Sequence, residues 1–402
     1  MNKTSNEFLP FQGVRVLDMS QGLAGPYAAE MLVMMGASVI KVEPPQGDWG
    51  RVMGVGLNGQ TSLSAPVNWG KRAICVDARQ EAGRKVLHRF VEQSDVVLES
   101  FRPGILDKIG LGFDVLQKLR PGIVLGSISG FGSAGPNASR PGSDSILQAA
   151  TGMASMNQDA DGKPRRVGML AVDMIAGLYA GFALAAAISE QRQSASSPGR
   201  HLELSLLGAA SAFQATPMLE SFLQNGVRNR PVTVPSGNFA TLDGEIAVVC
   251  LRNEMFRSLA EVLGHPEWAE DPRFADNAAR QDNAEAINSL LEKIFLTQPR
   301  DHWIEKLNET GVLCGPMNSY QDLIEDPQVQ YLGLLPMVNH EVLGSFPMPR
   351  MPGSQIDPRT LCAAPALGGQ TRELLIEAGF DAAEINELLR NNVCIQSSGQ
   401  SI

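Results

Sequence analysis

The stretch GVRVLDMSQGLAGPYAAEMLVMMGASVIKVEPP, residues 13–45, decides the fold of this chain. Its first part, residues 13–20, has the valine-rich character of a short strand, and residues 37–45 repeat that character. Between them lies an apolar run, residues 23–36, with a Gly-Pro pair near its start, as expected for a helix. The stretch therefore predicts a βαβ unit.

The same alternation continues along the next ninety or so residues. Helical patterns at residues 81–93 and 113–121 alternate with strand-like segments at residues 95–100 and 123–132. Strands that alternate with helices predict a parallel sheet covered by helices, with ligands bound beyond the carboxyl ends of the strands. We therefore expect an α/β fold with a doubly wound parallel sheet.

Composition narrows the class of protein. The chain has 402 residues, of which 44% are hydrophobic and 19% charged, as in an ordinary globular protein. Its net charge of −10 disfavours nucleic acid as a partner. The cysteines are widely spaced without a CxxC pair, which is typical of free thiols in a reducing compartment. No signal peptide is visible, so a cytoplasmic protein is expected.

One charge interrupts the apolar run MLAVDMIAGLYAGFALAAAI, residues 169–188, and it belongs to Asp173. The run is long enough to cross a membrane, but its Ala and Gly content and its charge favour a buried helix. An aspartate near a helix start can simply cap free backbone N–H groups. It can also act as a general base or a carboxylate nucleophile. Both interpretations are open at this point.

The motifs of several cofactor sites are missing from the sequence. Residues 21–26 read QGLAGP, which is GxxGP and not the GxGxxG of dinucleotide sites, although Glu43 closes the second strand as such a site would require. Neither GxxxxGK[ST] nor GxSxG occurs, and the histidines are isolated from one another. We therefore expect no NAD and no metal.

Cations and glycines gather in loops at predicted strand ends. These loops are NWGKR at residues 68–72, FRPG at residues 101–104 and SGFG at residues 129–132. Cations on separate loops can converge on phosphates through charge-assisted hydrogen bonds, so a small polyanionic ligand would suit them. For any single one of these residues, a solvated loop charge is the simpler interpretation.

The chain resembles the class III CoA-transferase family, which includes formyl-CoA transferase and carnitine CoA-transferase. The resemblance covers nearly the whole chain and rests on motifs that occur in one order. They are residues 13–48, NWGKRAICVD (68–77), DVVLESFRPG (95–104), ISGFGSAGP (128–136), RPGSDSILQAATGM (140–153), VGMLAVDMIAGLYAG (167–181) and segments at 261–280, 311–329 and 364–375.

The resemblance implies that Asp173 is the catalytic residue. Its carboxylate would attack an acyl-CoA thioester, giving first a mixed anhydride and then an aspartyl-CoA thioester from which a carboxylic acid collects the CoA. Coenzyme A would enter as a co-substrate, without metal or NAD. The helix dipole would keep Asp173 ionised, and Gly237 is a candidate oxyanion donor.

The resemblance also indicates which residues contact coenzyme A. They are Gly22, Leu23, Lys71, Arg72, Arg102 and Lys108, of which the cations would bind the phosphates. Formyl-CoA transferase carries a lysine at the position of Ser129 and a tyrosine at that of Phe131, and its polyglycine loop has no counterpart in residues 229–238. These differences disfavour an oxalate/formate activity and leave the acyl pair open.

Two alternatives to a transferase stay open. An acyl-CoA racemase branch shares the fold, but it carries a histidine where this chain has Ser143, and exchange on both faces of an α-carbon needs two acid/base groups. The other alternative is a non-catalytic CoA-binding protein in which Asp173 only caps its helix.

The family architecture implies an interlocked homodimer with a large domain built from both chain ends and a smaller α+β middle domain. The sequence agrees with a middle domain, since a hairpin-like segment at residues 239–251 precedes three amphipathic helices. The predicted divisions are a large CoA-binding domain at 1–200, a linker at 201–238, a small domain at 239–325, and a return linker with the rest of the large domain at 326–402.

Overall fold

The computed structural model describes residues 8–159, 161–193, 197–225 and 231–397. The described chain forms two compact units. The first contains the residues up to Ala215 together with those from Gly333, and the second spans Thr216–Leu332. These bounds differ from the predicted divisions at residues 200, 238 and 325.

The strands are β1 (Arg15–Asp18), β2 (Ser38–Glu43), β3 (Gly56–Leu57), β4 (Gln60–Thr61), β5 (Arg72–Val76), β6 (Val96–Glu99), β7 (Val124–Ser129), β8 (Arg200–Ser205), β9 (Ser236–Ala240), β10 (Glu245–Val249), β11 (Leu313–Pro316), β12 (Met337–His340), β13 (Gly344–Pro347) and β14 (Cys394–Ile395). The helices of the first unit are α1 (Ala24–Val33), α2 (Glu81–Glu92), α3 (Ile105–Lys108), α4 (Phe113–Leu119), α5 (Asp144–Ala150), α6 (Met153–Met156), α7 (Ala171–Gln193), α8 (Leu206–Phe213), α16 (Thr371–Glu377) and α17 (Ala382–Arg390). The remaining helices are α9 (Ala215–Leu223), α10 (Asn253–Val262), α11 (Asn277–Asp282), α12 (Ala284–Phe295), α13 (Arg300–Glu309), α14 (Tyr320–Glu325) and α15 (Pro327–Leu332).

The first unit is built on a sheet in which, among the described residues, seven strands pair in the order β14-β5-β2-β1-β6-β7-β8. Its pairs are parallel except for β14 with β5. The predicted βαβ unit is present, since β1 and β2 pair in parallel with Arg15 opposite Ser38. The strand order runs outward in both directions from β1 and β6, so the carboxyl ends of these two strands mark the switch point where such sheets bind ligands.

Helices cover both faces of this sheet, each over its own apolar core. One core lies under α1, α5, α7 and α8, and the other under α2, α4, α16 and α17. α7 packs closely on α1, because a Cβ added at Gly177 would lie 2.8 Å from the carbonyl oxygen of Ala24. The glycine therefore allows the helix that carries Asp173 to approach the helix that follows β1.

Among the described residues, α7 is the one helix that is long and apolar enough to cross a bilayer. Half of its most apolar window is buried inside the structure. Its buried side comprises small and branched residues such as Ala176, Ala180 and Leu184, which face the core shared with α1 and α8. This packing is that of a core helix, as the sequence predicts.

The predicted linker at residues 201–238 is wrong in its first part. Residues 200–205 form β8, which pairs in parallel with β7 so that Ser129 lies opposite Ser205, and α8 follows directly. Leu202 and Leu204 alternate with polar residues and pack against the core. The Ser- and Pro-rich residues just before β8 conceal this alternation in the sequence.

The second unit contains an antiparallel sheet in the order β11-β10-β9. The predicted hairpin is the β9–β10 pair, in which Phe239 lies opposite Ile246. Helices α10, α12 and α13 supply the aromatic residues Phe256, Phe295 and Trp303 to its core. The unit is therefore an α+β structure with its own apolar core.

Candidate active site

Asp173 is the third residue of α7, and its side chain is half-buried. Within the described ranges its carboxylate has no hydrogen-bond or ion-pair partner. Burial raises the pKa of this carboxyl to about 7, and the nearby charge of Asp144 adds to the effect. An unpartnered carboxylate with a raised pKa can act as a base or as a nucleophile.

The cap of α7 is supplied by another residue, Asp144, the first residue of α5. Its buried carboxylate accepts hydrogen bonds at Oδ2 from the backbone N–H groups of Val172, at 2.7 Å, and Asp173, at 3.2 Å. The side chain of Asp173 is therefore not the cap of its own helix. Burial and the charge of Asp144 oppose the helix dipole, because both raise the pKa of Asp173.

Gln148, one turn after Asp144, holds this arrangement together. Its Nε2 donates to Asp144 Oδ1 at 2.7 Å and to the carbonyl of Met169 at 3.0 Å. Its Oε1 accepts from the backbone N–H of Val167 at 2.9 Å. The side chain is almost fully buried, so it fixes the segment that leads into α7 against α5.

The Gly22–Leu23 turn follows β1 and begins α1. Gly22 has a φ of +81°, and its N–H donates to Asp48 Oδ1 at 2.8 Å. A Cβ added at Gly22 would lie 2.0 Å from the indole of Trp49, so only glycine fits there. The Gly22 N–H, which the resemblance implies would contact coenzyme A, is thus already bonded to Asp48 within the protein. Leu23, the other residue of the predicted contact, is mostly buried.

Lys71 does not lie where it could meet a phosphate. It is fully buried, and its Nζ donates to Asp18 Oδ2 at 2.8 Å, to the Pro26 carbonyl at 2.8 Å and to Asn68 Oδ1 at 3.1 Å. This buried ion pair joins the end of β1 to the residue before β5. The predicted phosphate contact is wrong for this conformation, because a lone buried ammonium needs such partners.

Arg72 is also occupied. Its guanidinium donates to Glu373 at 3.1 Å and to Glu377 at 2.7 Å, both on α16. The hydrogen bond that Arg72 donates to Glu377 is the main cause that raises the pKa of Arg72, and Glu373 adds to the effect. With its charge already offset by two acids, Arg72 is a poor phosphate ligand and instead attaches α16 to the sheet.

Arg102 and Lys108 are the predicted cations that stay available. Both are exposed, and neither has an ion-pair partner in the part of the chain that the structure describes. Arg102 follows β6 and lines a cavity of about 240 Å³ with Phe101 and Ser129. Arg102 therefore lies near the carboxyl end of β6, beside the switch point of the sheet, and Lys108 is the last residue of α3, the helix that follows.

A second cavity, of about 230 Å³, lies at the carboxyl ends of β1, β2 and β5. Its lining is mainly apolar and includes Met19, Val42 and Phe101. The polar members are Gln21, Gln46 and the ion pair of Asp77 with Arg79. This combination suits a flat heterocycle with a few hydrogen-bonding groups. No group of three or more His, Cys, Asp or Glu side chains placed to hold a metal occurs among the described residues.

The sequence did not single out Asp48, Asp144 and Gln148, although all three fix the two turns of the site. A local signal exists for one pair, since Asp144 and Gln148 are four residues apart and share a helix face. Gly237, the candidate oxyanion donor, lies in β9 of the second unit. Its predicted role stays a prediction.

Comparison with known proteins identifies the relationships of the chain. Residues 11–371 match the profile of CoA-transferase family III. An acetyl-CoA:oxalate CoA-transferase of Acetobacter aceti is 32% identical over 81% of this chain and 85% of its own. A succinate–glutarate CoA-transferase of Agrobacterium fabrum is 31% identical over 94% of this chain and 98% of its own.

A solved structure extends the likeness to three dimensions. A CAIB/BAIF family protein from Brucella suis matches with a TM-score of 0.81 and 31% identity, over 92% of this chain and 100% of its own. The resemblance that the sequence motifs indicate is therefore confirmed. The chain belongs to CoA-transferase family III, and it is an enzyme of that family.

Proposed function

We propose that the protein transfers coenzyme A from an acyl-CoA to a free carboxylic acid, with Asp173 as the covalent nucleophile. The observation that carries the proposal is the unpartnered carboxylate of Asp173 at a helix start whose N–H groups are already capped by Asp144. A carboxylate that is not needed as a cap is free to react. Its raised pKa makes its ionised form a stronger nucleophile than an ordinary aspartate.

The reaction proceeds in two halves. The Asp173 carboxylate attacks the thioester carbonyl of the donor, the C–S bond breaks, and CoA thiolate leaves behind a mixed anhydride. The thiolate then attacks the aspartyl carbon of the anhydride and releases the donor acid as its carboxylate. The acceptor carboxylate repeats these steps in the opposite direction on the aspartyl-CoA thioester. No net proton or electron is exchanged, and the energy of the thioester is conserved.

Coenzyme A would bind at the carboxyl ends of the strands of the first unit. Arg102 and Lys108 are exposed cations without ion-pair partners among the described residues, so they can meet phosphates. The mainly apolar cavity beside Met19 and Phe101 would hold the adenine ring. Gly22 and Leu23 would contribute by shaping the turn that follows β1.

The substrates are proposed to be small carboxylic acids and their thioesters. The relative from Acetobacter aceti is named for oxalate, and the relative from Agrobacterium fabrum is named for succinate and glutarate. Dicarboxylates are therefore the first class of acceptor to try on this chain. Discrimination among them depends on a few contacts around the acyl group.

A homodimer is part of the proposal because each unit exposes apolar helix surface. In the first unit α7 exposes Leu178, Tyr179 and Phe182. In the second unit α9 has no buried residue, and its apolar side chains Phe222 and Leu223 are 80% and 70% exposed. Apolar helix faces of this kind are usually covered by a partner. We propose that a second copy of the chain covers them in an interlocked dimer.

Mass spectrometry after incubation with acyl-CoAs tests this function. We expect a CoA-sized adduct on the peptide that contains Asp173, released when an acceptor acid is added. The variant Asp173→Ala should form no adduct, while Asp114→Asn, which alters an exposed aspartate on α4, should behave as wild type. Deuterium exchange at the α-carbon without any adduct would instead indicate the racemase. Binding of coenzyme A without either reaction would indicate a non-catalytic protein.

A further inference from the structure

We propose that Asp144 is a positioning residue for the transfer reaction: its negatively charged carboxylate both occupies the N–H groups at the start of α7 and repels the carboxylate of Asp173, which is thereby kept unbonded and reactive. This inference rests on the proposed function, because it requires Asp173 to be the nucleophile. It goes beyond that function in assigning a role to a second carboxylate that makes no covalent bond.

The geometry explains why a second carboxylate is needed. The first N–H groups of a helix lack partners within the helix and attract any nearby anion. Asp173 is the third residue of α7, so its own side chain is within reach of those groups. Asp144 already accepts from the N–H groups of Val172 and Asp173, at 2.7 and 3.2 Å. The nucleophile is thereby left without a competing hydrogen bond inside the protein.

Asp144 is itself held firmly in place. Only 3% of its surface is exposed, and its other oxygen, Oδ1, accepts from Gln148 Nε2 at 2.7 Å. Gln148 in turn binds the backbone at Val167 and Met169, just before α7 begins. The backbone at the start of α7, from which the Asp173 side chain projects, is thus fixed by two side chains of α5.

A cap alone does not explain a carboxylate at this position. Serine, threonine or asparagine caps a helix about as well as aspartate and brings no charge. Two neighbouring carboxylates in a partly buried site repel one another, which costs stability. The same repulsion favours transfer of negative charge from Asp173 onto a substrate carbonyl. Burial and the charge of Asp144 together raise the pKa of Asp173, which agrees with this role.

Other charged groups on the elements around α7 act elsewhere. On α1, the pKa of Tyr27 is raised by burial and by Glu30, and Glu30 in turn interacts with Lys71. On β8, Arg200 pairs with Glu190, His201 lies 3.0 Å from Ser127, and Glu203 lines the cavity near Arg102. Helix α8 and strand β7 carry no charged residue. Among the residues that the structure describes, Asp144 of α5 is therefore the charge that acts on Asp173.

The test compares Asp144→Asn with wild type by the rate of CoA-adduct formation in a single turnover and by its pH profile. The substitution keeps an oxygen that can accept from α7 but removes the charge. At about pH 9, where Asp173 is ionised in both proteins, we expect a roughly tenfold slower rate with little change in the donor concentration for half-saturation. The acidic limb of the profile should move to lower pH, because the repelling charge is gone.

A matched control separates this effect from loss of a helix cap. Asp381 caps α17 through the N–H groups of Ala383 and Glu384, at 2.8 and 2.9 Å, and it is exposed. Asp381→Asn should leave both the rate and the acidic limb unchanged. If Asp144→Asn does not fold, Asp144→Ser supplies a neutral cap and is judged by the same two readouts.

The outcomes distinguish this inference from the proposed function. A wild-type protein that never forms the adduct on Asp173 contradicts the function, and the inference falls with it. A wild-type protein that forms the adduct, with a folded Asp144 variant of unchanged rate and unchanged acidic limb, overturns the inference alone. A slower rate together with a limb at lower pH supports it.

Discussion

Asp144 and Asp173 are joined by a hydrogen bond from the backbone N–H of Asp173 to Oδ2 of Asp144, at 3.2 Å. Asp144 thus caps α7, the helix that carries Asp173, and the side chain of Asp173 remains unbonded. Two acids near one helix start therefore have different roles. One satisfies the backbone, and the other keeps its carboxylate available for a reaction.

Asp173→Asn should abolish CoA transfer while leaving coenzyme A binding close to that of wild type. An amide cannot attack a thioester, so the loss of turnover should be on the order of a thousandfold or more. Steady-state kinetics and calorimetric titration with coenzyme A measure the two quantities. Transfer that persists within a few-fold of wild type would show that another group is the nucleophile.

The activity should depend on the ionisation of Asp173. Its pKa is raised to about 7, chiefly by burial, and only the ionised carboxylate attacks. We expect kcat/KM to rise with pH and to level off above about pH 7, because this ratio reports the groups of the free enzyme. A pH series with one donor and one acceptor would test this. An acidic limb of the kcat/KM profile with a midpoint near the ordinary pKa of an aspartate would contradict the raised pKa of Asp173.

Stability should also respond to this carboxyl, with a defined sign. Since its folded-state pKa lies above the unfolded value, its favourable contribution is complete below the unfolded pKa and is lost as the pH rises through about 7. Urea unfolding between about pH 4 and pH 8 should therefore show a smaller decline for Asp173→Asn than for wild type. Burial also raises the pKa of Glu30 to about 7, so Glu30 contributes to the decline in stability in both proteins. Equal declines in the two proteins would contradict this linkage.

Gly22→Ala should destabilise the protein more than Gly104→Ala. Both glycines have a φ of +81°, so an alanine is strained at either position. A Cβ at Gly22 would also lie 2.0 Å from the indole of Trp49, whereas nothing lies within 4 Å of one at Gly104. We expect about 1 kcal/mol at Gly104 and several at Gly22. Urea unfolding gives both values, and equal losses would mean that Trp49 moves aside freely.

Lys71→Met and Arg102→Met should separate stability from binding. Lys71 is buried on Asp18, so its removal takes the direct ion-pair partner from a buried carboxylate, which keeps only the nearby charge of Lys41 and the hydrogen bonds of Ser20, and should cost about 3–5 kcal/mol. Arg102 is exposed, and its loss should weaken coenzyme A binding roughly tenfold, more at low salt, with little effect on unfolding.

A control for the first of these variants is the double change Lys71→Met with Asp18→Asn, which should recover part of the lost stability because it removes the unpaired charge. If a stable Lys71 variant binds coenzyme A more weakly than wild type, that result would support the predicted contact between Lys71 and a phosphate. Unchanged binding by the Arg102 variant would exclude its proposed role.

Much of the first unit could be predicted because its signals are local. The β1–α1–β2 pattern and the apolar run of α7 follow from periodicity, and the structure contains both. The order of motifs also indicated the family, which the comparisons confirm. Strand β8 was missed because the polar residues before it obscure an alternation of only six residues.

The alternating strands and helices, the family and the lone charge in the apolar run at residues 169–188 can be read from the amino-acid sequence, because each depends on residues that are neighbours along the chain. Folding brings Lys71 onto Asp18, 53 positions away, and places Asp144 at the backbone N–H of Val172, 28 positions further along, and neither contact could be read from the sequence. Spacing along a chain reports neither burial nor the partner that folding supplies. The partner of a charge decides whether it can meet a ligand, because a buried charge must first be paired.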